Sequence, residues 1–183
     1  MTVKKSFIEN LRPTPSNVIM VDMDTPNLTH VDESGLARMI DVSDKPESER
    51  WAVARGSVVM ERETLEVVKA AELKKGDVRS VAEIAGVMGA KRTSELVPLC
   101  HPLPLTHVEV QVDLSEELPG VSITATVRTT ARTGVEMEAL TAVSVAALTV
   151  YDMIKSVDRA ARITDVRLVE KGGGTSGDVV LER

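Results

Sequence analysis

The sequence predicts an α+β sandwich, with helices packed on one face of a mainly antiparallel sheet. Two stretches, residues 107–114 and 121–128, alternate apolar and polar side chains on either side of a Pro119-Gly120 turn, as an antiparallel hairpin with one wet face does. A long run over residues 136–157 is rich in Ala, Leu and Val and nearly free of charge, which is the composition of a helix buried on most sides. The order of strands, helices and hairpin along the chain completes the reading.

The chain has 183 residues, the length of one domain with some chain to spare. Pro13, Pro15 and Pro26 interrupt short apolar pieces near the start, and polar residues fill the gaps. Composition therefore assigns residues 1–38 to a flexible arm, either a linker or an arm that packs on a partner, and residues 39–183 to a single α+β domain. Residues 51–60 read as a strand. Residues 61–73 place Leu65, Val68 and Ala71 or Leu73 at helical spacing, and Lys74-Lys75-Gly76 supplies a basic C-terminal end. Asp77 caps a second helix running to about Thr93, with Val81, Ile84, Ala85 and Met88 on one face. Gly86 and Gly89 in that helix point to close packing. Residues 97–105 form a stiff loop with three prolines before the hairpin. After the long helix come a strand over residues 162–170, a glycine loop and a last short strand at residues 179–181.

Composition excludes several functions. Aromatic residues make up 2% of the chain and are only Phe7, Trp51 and Tyr151. That is too few for the stacking platforms of single-strand nucleic-acid binders or for an aromatic cage. The net charge of −6 disfavours non-specific binding to DNA or anionic membranes, yet leaves room for an anion in a locally basic pocket. Cys100 is the only cysteine, so neither an intrachain disulfide nor a cysteine-cluster metal site can form. No apolar run reaches the length of a membrane span, and the first residues lack a signal-peptide core. The expectation is a soluble protein of a reducing compartment, the cytoplasm.

Four groups of residues carry candidate chemistry. Prolines brace Cys100 and His101, which suits either a small-molecule contact or an ordinary turn; adjacent Cys-His is poor chelate spacing for a metal. Glu136 and Glu138 open the long helix, where carboxylates either favour the helix dipole or accept from a donor edge such as that of guanine. Asp152 and Lys155 stand i, i+3 on an apolar helix. They form either a surface ion pair or an acid–base pair in which a desolvated Lys has its pKa lowered. Lys75, Lys91, Arg92, Lys155 and Lys171 scatter basic charge beside glycine turns, as an anion site does, and the loop from Gly172 to Gly177 offers backbone N–H groups. Glu138 and Asp152 are 14 residues apart, about 21 Å on one straight helix. A small substrate does not easily bridge that span, so either the two serve different sites or one site joins two subunits. A buried, nearly uncharged long helix favours oligomerisation, and the expectation is a site shared between subunits.

Taken together, Met39-Ile-Asp-Val-Ser, Lys75-Gly-Asp-Val, Ala90-Lys-Arg-Thr, Val97-Pro-Leu-Cys-His-Pro-Leu, Thr133-Gly-Val-Glu-Met-Glu-Ala-Leu-Thr, Ala146-Ala-Leu-Thr-Val-Tyr-Asp-Met and the terminal Ser-Gly-Asp resemble the MoaC family of molybdenum-cofactor biosynthesis, in order and spacing, from about Met39 to Leu181. The resemblance implies a ferredoxin-like fold and a hexamer built as a trimer of dimers with intersubunit active sites. It implies conversion of a cyclised dihydro-GTP into a cyclic pyranopterin monophosphate with release of diphosphate, with no metal or organic cofactor. It implies catalytic roles for Asp152, Lys155 and Lys75. It implies substrate contacts for Leu99, Cys100, His101, Met137 and Glu138, and further site positions at Glu136, Lys91, Arg92 and Lys171. The chain departs from many relatives at Ala131-Arg132-Thr133, where they carry Gly-Lys-Thr. It departs also at Gly172, where they carry Ser, and at Thr175, where they carry Lys. Two rival functions, a metal-dependent cyclohydrolase and a non-catalytic nucleotide-binding protein, fit the residues less well: metal ligands are scarce, and mere binding does not require an Asp–Lys pair on an apolar helix.

Overall fold

The computed structural model describes residues 29–31, 34–70 and 77–182. The elements run β1 (Ser48–Val59), α1 (Arg62–Lys69), α2 (Val78–Lys91), α3 (Thr93–Leu96), β2 (Leu105–Ser115), β3 (Gly120–Ala131), α4 (Glu136–Ile154), β4 (Arg162–Gly173), a 3₁₀ turn (Gly174–Ser176) and β5 (Val179–Val180). The strands form one sheet in the order β2-β3-β1-β4-β5, and every neighbouring pair is antiparallel. β1 reaches β2 by way of the helices and passes over β3. β3 reaches β4 by way of α4 and passes over β1. This is the ferredoxin-like arrangement that the resemblance implied, with β5 added at one edge. The expected hairpin is β2–β3, paired without interruption from His107 to Ser115. The expected end of the first helix beyond Ala70, together with Lys75 and most of the N-terminal arm, lies outside the described residues.

The core is aliphatic and small, as three aromatic residues dictate. Ala52, Ala54 and Val58 of β1, Val110 and Val112 of β2, and Ile123, Ala125 and Val127 of β3 face the helices. Ala139, Ala142, Val143, Ala146, Ala147 and Val150 of α4 answer them, all fully buried. Each fully buried Val contributes about 1.5–3 kcal/mol. α4 passes the length and hydropathy test for a membrane span, contrary to the expectation that no run is long enough. Nine of its 19 residues are buried against the sheet and α2, so it is a core helix. It ends at Ile154, three residues short of the expected end. The turn that follows is held by Asp158, whose carboxylate accepts from the N–H groups of Glu61 and Ala160 at 2.8 and 2.9 Å. The C-terminal end of α4 is thereby tied to the junction of β1 and α1.

α2 packs closely at Gly86 and Gly89 as expected, and the face that carries Val81, Ile84 and Met88 is the outward one. Asp77 caps it as predicted, accepting from the N–H of Arg79 at 3.1 Å. Its inward face, however, is Val78, Ala82, Gly86, Gly89 and Ala90. Val81, Ile84 and Met88 face away from the chain, with Ile84 63% exposed. The cause is the closeness of α4. A β-carbon added at Gly89 would lie 2.8 Å from Val145 Cβ, and one at Gly86 would lie 3.0 Å from the carbonyl oxygen of Ala142. Only small side chains fit there, so the larger ones are turned outward.

Gly89→Ala tests this contact. Helix propensity favours Ala by about 1 kcal/mol, whereas overpacking costs about 1–3 kcal/mol. The urea midpoint is expected to fall, by roughly 1–2 kcal/mol in stability. A rise would show that α2 and α4 have slack between them.

Candidate active site

The predicted residues gather at the two ends of α4. At its N-terminal end, Glu136 Oε1 accepts from Lys171 Nζ at 2.8 Å, which joins the start of the helix to the end of β4. Two residues on, about half a turn round the helix, Glu138 is only 2% exposed. Its Oε1 accepts from the Cys100 thiol at 3.6 Å, while its Oε2 is buried with no hydrogen-bond partner among the described residues. An unpaired buried carboxylate oxygen costs free energy until a donor arrives, and it marks a place for one. Burial pushes the Glu138 carboxyl above its ordinary value. Burial likewise pushes the Cys100 thiol up to about 11, and the neighbouring Glu138 and then Glu136 add to the shift. This thiol is a donor at neutral pH and not a nucleophile.

The rest of the proline-braced loop lies alongside. Leu99 and His101 are half-buried, and Met137, between the two glutamates, is partly exposed. The segment that begins Met39-Ile-Asp-Val-Ser comes to the same place. The Asp41 carboxyl is held below its ordinary value chiefly by hydrogen bonds from Ser43, and nearby His101 adds to this. Arg132 explains its own departure from Lys: its Nη1 donates to the carbonyl of Ser43 at 2.7 Å and so reaches back to this segment.

Arg50 also comes to this end of α4. It stands opposite Gly173 in the β1–β4 register, and its Nε donates to the carbonyl of Ala131 at 3.0 Å. Its Nη1 lies 2.2 Å from where a β-carbon at Gly174 would be. The guanidinium therefore rests on the glycine loop beside Thr175. No motif in the sequence places Arg50 there; only the pairing of β1 with β4 does. Arg50, Trp51, Glu136 and Lys171, together with glycines of the neighbouring loops, line a cavity of about 30 Å³. That holds about one water molecule, far less than the ~300 Å³ at the low end for small-molecule sites.

At the C-terminal end of α4, Lys155 Nζ meets Asp152 Oδ1 at 2.5 Å. The two side chains are 53% and 59% exposed. The hydrogen bond to Asp152 holds the Lys155 ammonium above its ordinary value. The expectation of a desolvated, acidified lysine is therefore not met in the single chain, because this helix end is open to solvent. Tyr151 packs its ring partly on the core and donates its hydroxyl to the carbonyl of Arg159 at 3.2 Å. With Lys155, Ser156 and Arg159 it lines an open cleft of about 340 Å³.

The chain does not bring its two ends together. Glu138 and Asp152 lie on the same α4, about 21 Å apart along its axis. Lys91 and Arg92 are exposed at the C-terminal end of α2. Lys75 lies outside the described residues. Among the described residues no three His, Cys, Asp or Glu side chains cluster to hold a metal ion.

The Cys100 environment predicts slow alkylation at pH 8. The rate should rise through about pH 11, following the thiolate. Glu138→Gln, which removes the neighbouring negative charge, should lower the midpoint of that rate profile. A midpoint near the value of a free thiol in the unchanged protein would contradict the burial described here.

The comparison with known proteins covers this same ground. The MoaC family model matches residues 39–174. Cyclic pyranopterin monophosphate synthase of Dinoroseobacter shibae is 59% identical over 150 residues, covering 82% of this chain and 95% of the relative. The enzyme of the same name from Thermomicrobium roseum is 61% identical over 150 residues, covering 82% and 90%. That of Roseiflexus castenholzii is 58% identical over 156 residues, covering 85% and 99%. The matched region contains β1 to β4, both ends of α4 and the start of the glycine loop, and on that evidence the chain belongs to the MoaC family.

Proposed function

We infer that this chain is a cyclic pyranopterin monophosphate synthase of molybdenum-cofactor biosynthesis. It converts 3′,8-cyclo-7,8-dihydroguanosine 5′-triphosphate to cyclic pyranopterin monophosphate and releases diphosphate. The observation that carries this reading is 59–61% identity to synthases matched over 90–95% of their length. The site residues give it chemical sense. Lys171 and Arg50, with Lys91 and Arg92, supply cations for a triphosphate and for charge developing on the leaving diphosphate. Glu136 and the buried Glu138 accept from the guanine edge, and the unpartnered Oε2 of Glu138 is the acceptor with most to gain. Leu99, Cys100, His101 and Met137 complete that wall. Asp152 and Lys155, with Lys75, handle the protons as the purine ring opens and rearranges.

The working unit is an oligomer, a hexamer arranged as a trimer of dimers, in which each active site joins the N-terminal end of one α4 to the C-terminal end of another. Two observations support this. The cavity beside Glu136 and Lys171 is far too small for the substrate in one chain. The outward surface of the helix layer is apolar, with Val81, Ile84 and Met88 of α2 and Leu148 of α4 all exposed. Covering Lys155 with a second subunit also removes water from the Asp152–Lys155 pair. The protein acts in the cytoplasm.

Incubation with the cyclised dihydro-GTP should yield the pyranopterin and diphosphate; absence of both rejects the synthase reading. Lys155→Ala should lower kcat by at least about 100-fold while gel filtration shows an unchanged oligomer. Near-wild-type turnover removes Lys155 from the catalytic set. The shared site has its own test. Co-expressed Lys155→Ala and Glu136→Gln subunits, each inactive alone, should together recover roughly a quarter of wild-type activity, the share of sites left intact by random pairing across a two-fold interface. No recovery would place both ends of the site in one chain.

A further inference from the structure

The glycine at position 172 departs from the serine that many relatives carry, and its surroundings give a reason. A β-carbon added at Gly172 would lie 2.4 Å from Trp51 Nε1, 2.5 Å from Trp51 Cε2 and 2.2 Å from Asp178 Oδ1. Each approach is well inside the ~3.5–4.0 Å of ordinary contact, and a rigid indole on a paired strand has little room to retreat. Trp51 and Gly172 stand directly opposite each other in the β1–β4 register. The next pair along is Ala52 with Lys171. Side chains alternate faces along a strand. Ala52 belongs to the helix-side core, and Lys171 meets Glu136 on that same side. The indole therefore lies on the helix-free face, behind the peptide that leads from Lys171 into the glycine loop.

That loop is weak in itself. It carries three consecutive glycines, and Gly173 and Gly174 adopt φ of 88° and 69°. Glycine adopts such values readily, but it equally allows many others, so a run of glycines does not hold one geometry unaided. The indole supplies a flat, rigid support at the loop's first residue.

We propose that Trp51 is a positioning residue for the phosphate-binding part of the site and that it works as a pair with Gly172. The ring occupies the slot that a side chain at 172 would take, and by bracing β4 there it sets where Lys171 and the glycine loop stand. The ligand class is the diphosphate portion of a nucleoside triphosphate, and in this the inference rests on the synthase reading. Trp51 also borders the cavity beside Glu136 and Lys171, and its role there is to place those groups. Its effect is on binding, and the proton chemistry at the other end of α4 is untouched.

Kinetics and fluorescence test the pair. Trp51→Ala should raise KM about tenfold with kcat within about twofold of wild type, the pattern of lost ground-state binding. Trp51→Phe, which keeps a ring in the slot, should stay closer to wild type. Gly172→Ser alone should also raise KM, and the double variant Trp51→Ala/Gly172→Ser should bind better than Trp51→Ala alone. Independent effects at the two positions, an unchanged KM in Trp51→Ala, or a loss confined to kcat would overturn the proposal. Should Trp51→Ala fail to fold, Gly172→Ser against Trp51→Phe/Gly172→Ser makes the same comparison. Trp51 is the only tryptophan in the chain, so its emission reports on this place alone. In the unaltered protein inorganic diphosphate should change that emission saturably. No saturable binding by calorimetry, or binding that leaves the emission unchanged, overturns the proposal. This titration needs no turnover. It decides the role of Trp51 even if the synthase assay fails, and an active enzyme with a silent Trp51 rejects the pair while leaving the synthase reading intact.

Discussion

The near-contact of backbones between α4 and its two supports is the constraint on which the rest of the molecule depends. On the sheet side, a β-carbon at Gly56 would lie 2.7 Å from Val143 Cγ1. On the helix side, Gly86 and Gly89 of α2 leave no space beyond their own hydrogen atoms. Between these, α4 presents alanines and valines that are fully buried. A chain almost without aromatic rings fills its interior by bringing backbones close together, and such an interior tolerates little displacement. Both ends of the candidate site hang from this one helix. A shift of α4 by 1 Å would misplace Glu136 and Glu138 at one end and Asp152 and Lys155 at the other, and misplacement on that scale costs about 100-fold in rate.

The two ends of α4 are electrostatic opposites, and burial more than sequence sets the difference. At the N-terminus the helix dipole favours a carboxylate by about 0.3–1 kcal/mol. Glu138 is nevertheless pushed toward its protonated form, because removal from water outweighs the dipole there. At the C-terminus the dipole favours a cation, the adjacent Asp152 favours it further, and water surrounds both groups, so Lys155 keeps its proton firmly. A lysine held that firmly is a poor proton shuttle near neutral pH. Bringing a second subunit over this end would strip water from the amine and shift it back toward the range where it both gives and takes protons. The open state of Lys155 in one chain and the proposed shared site are thus two aspects of one argument.

Much of this was legible in the sequence because it rests on periodicity. The β2–β3 hairpin follows from strict alternation about Pro119-Gly120. α4 follows from its charge-free run. The capping of α2 by Asp77 and the proximity of Asp152 to Lys155 follow from local spacing. The parts that were not legible depend on partners distant in the chain. The helical period of α2 yields two apolar stripes, Val81, Ile84 and Met88 or Ala82, Gly86 and Ala90, and hydrophobicity alone selects the larger side chains. The fold selects the smaller ones, because α4 lies too close for the others. Arg50 sits in a strand with no motif around it and joins the site only when β4 pairs beside it. The ionisation of Lys155 was open in the sequence between a surface ion pair and a desolvated amine, and the single chain shows the ion pair because the residue lies just past the covered turns of α4.

The departures from the family pattern fit the same physical account. At the first departure from the pattern that the resemblance implies, Arg132 holds the carbonyl of Ser43. This ties down the segment whose Asp41 lies near His101. Where relatives carry a lysine at 175, this chain has Thr175, yet the guanidinium of Arg50 already rests on the neighbouring Gly174. Positive charge therefore remains at the glycine loop and comes from β1. Gly172 lacks a side chain, and Trp51, again from β1, fills the space. In two of these three cases the replacement comes from the strand hydrogen-bonded to β4, so the register of β1 against β4 carries chemical information as well as stability. A one-residue slip of β4 against β1 would turn Lys171 to the helix-free face and set a residue other than Gly172 opposite the indole. That would break the Glu136–Lys171 pair and remove the support beneath the loop at the same moment. The Lys171 end of the candidate site is therefore held by sheet pairing as well as by helix packing, whereas the Asp152–Lys155 end is held by helix packing alone. A substitution that loosens the β1–β4 pairing need not disturb the Asp152–Lys155 end.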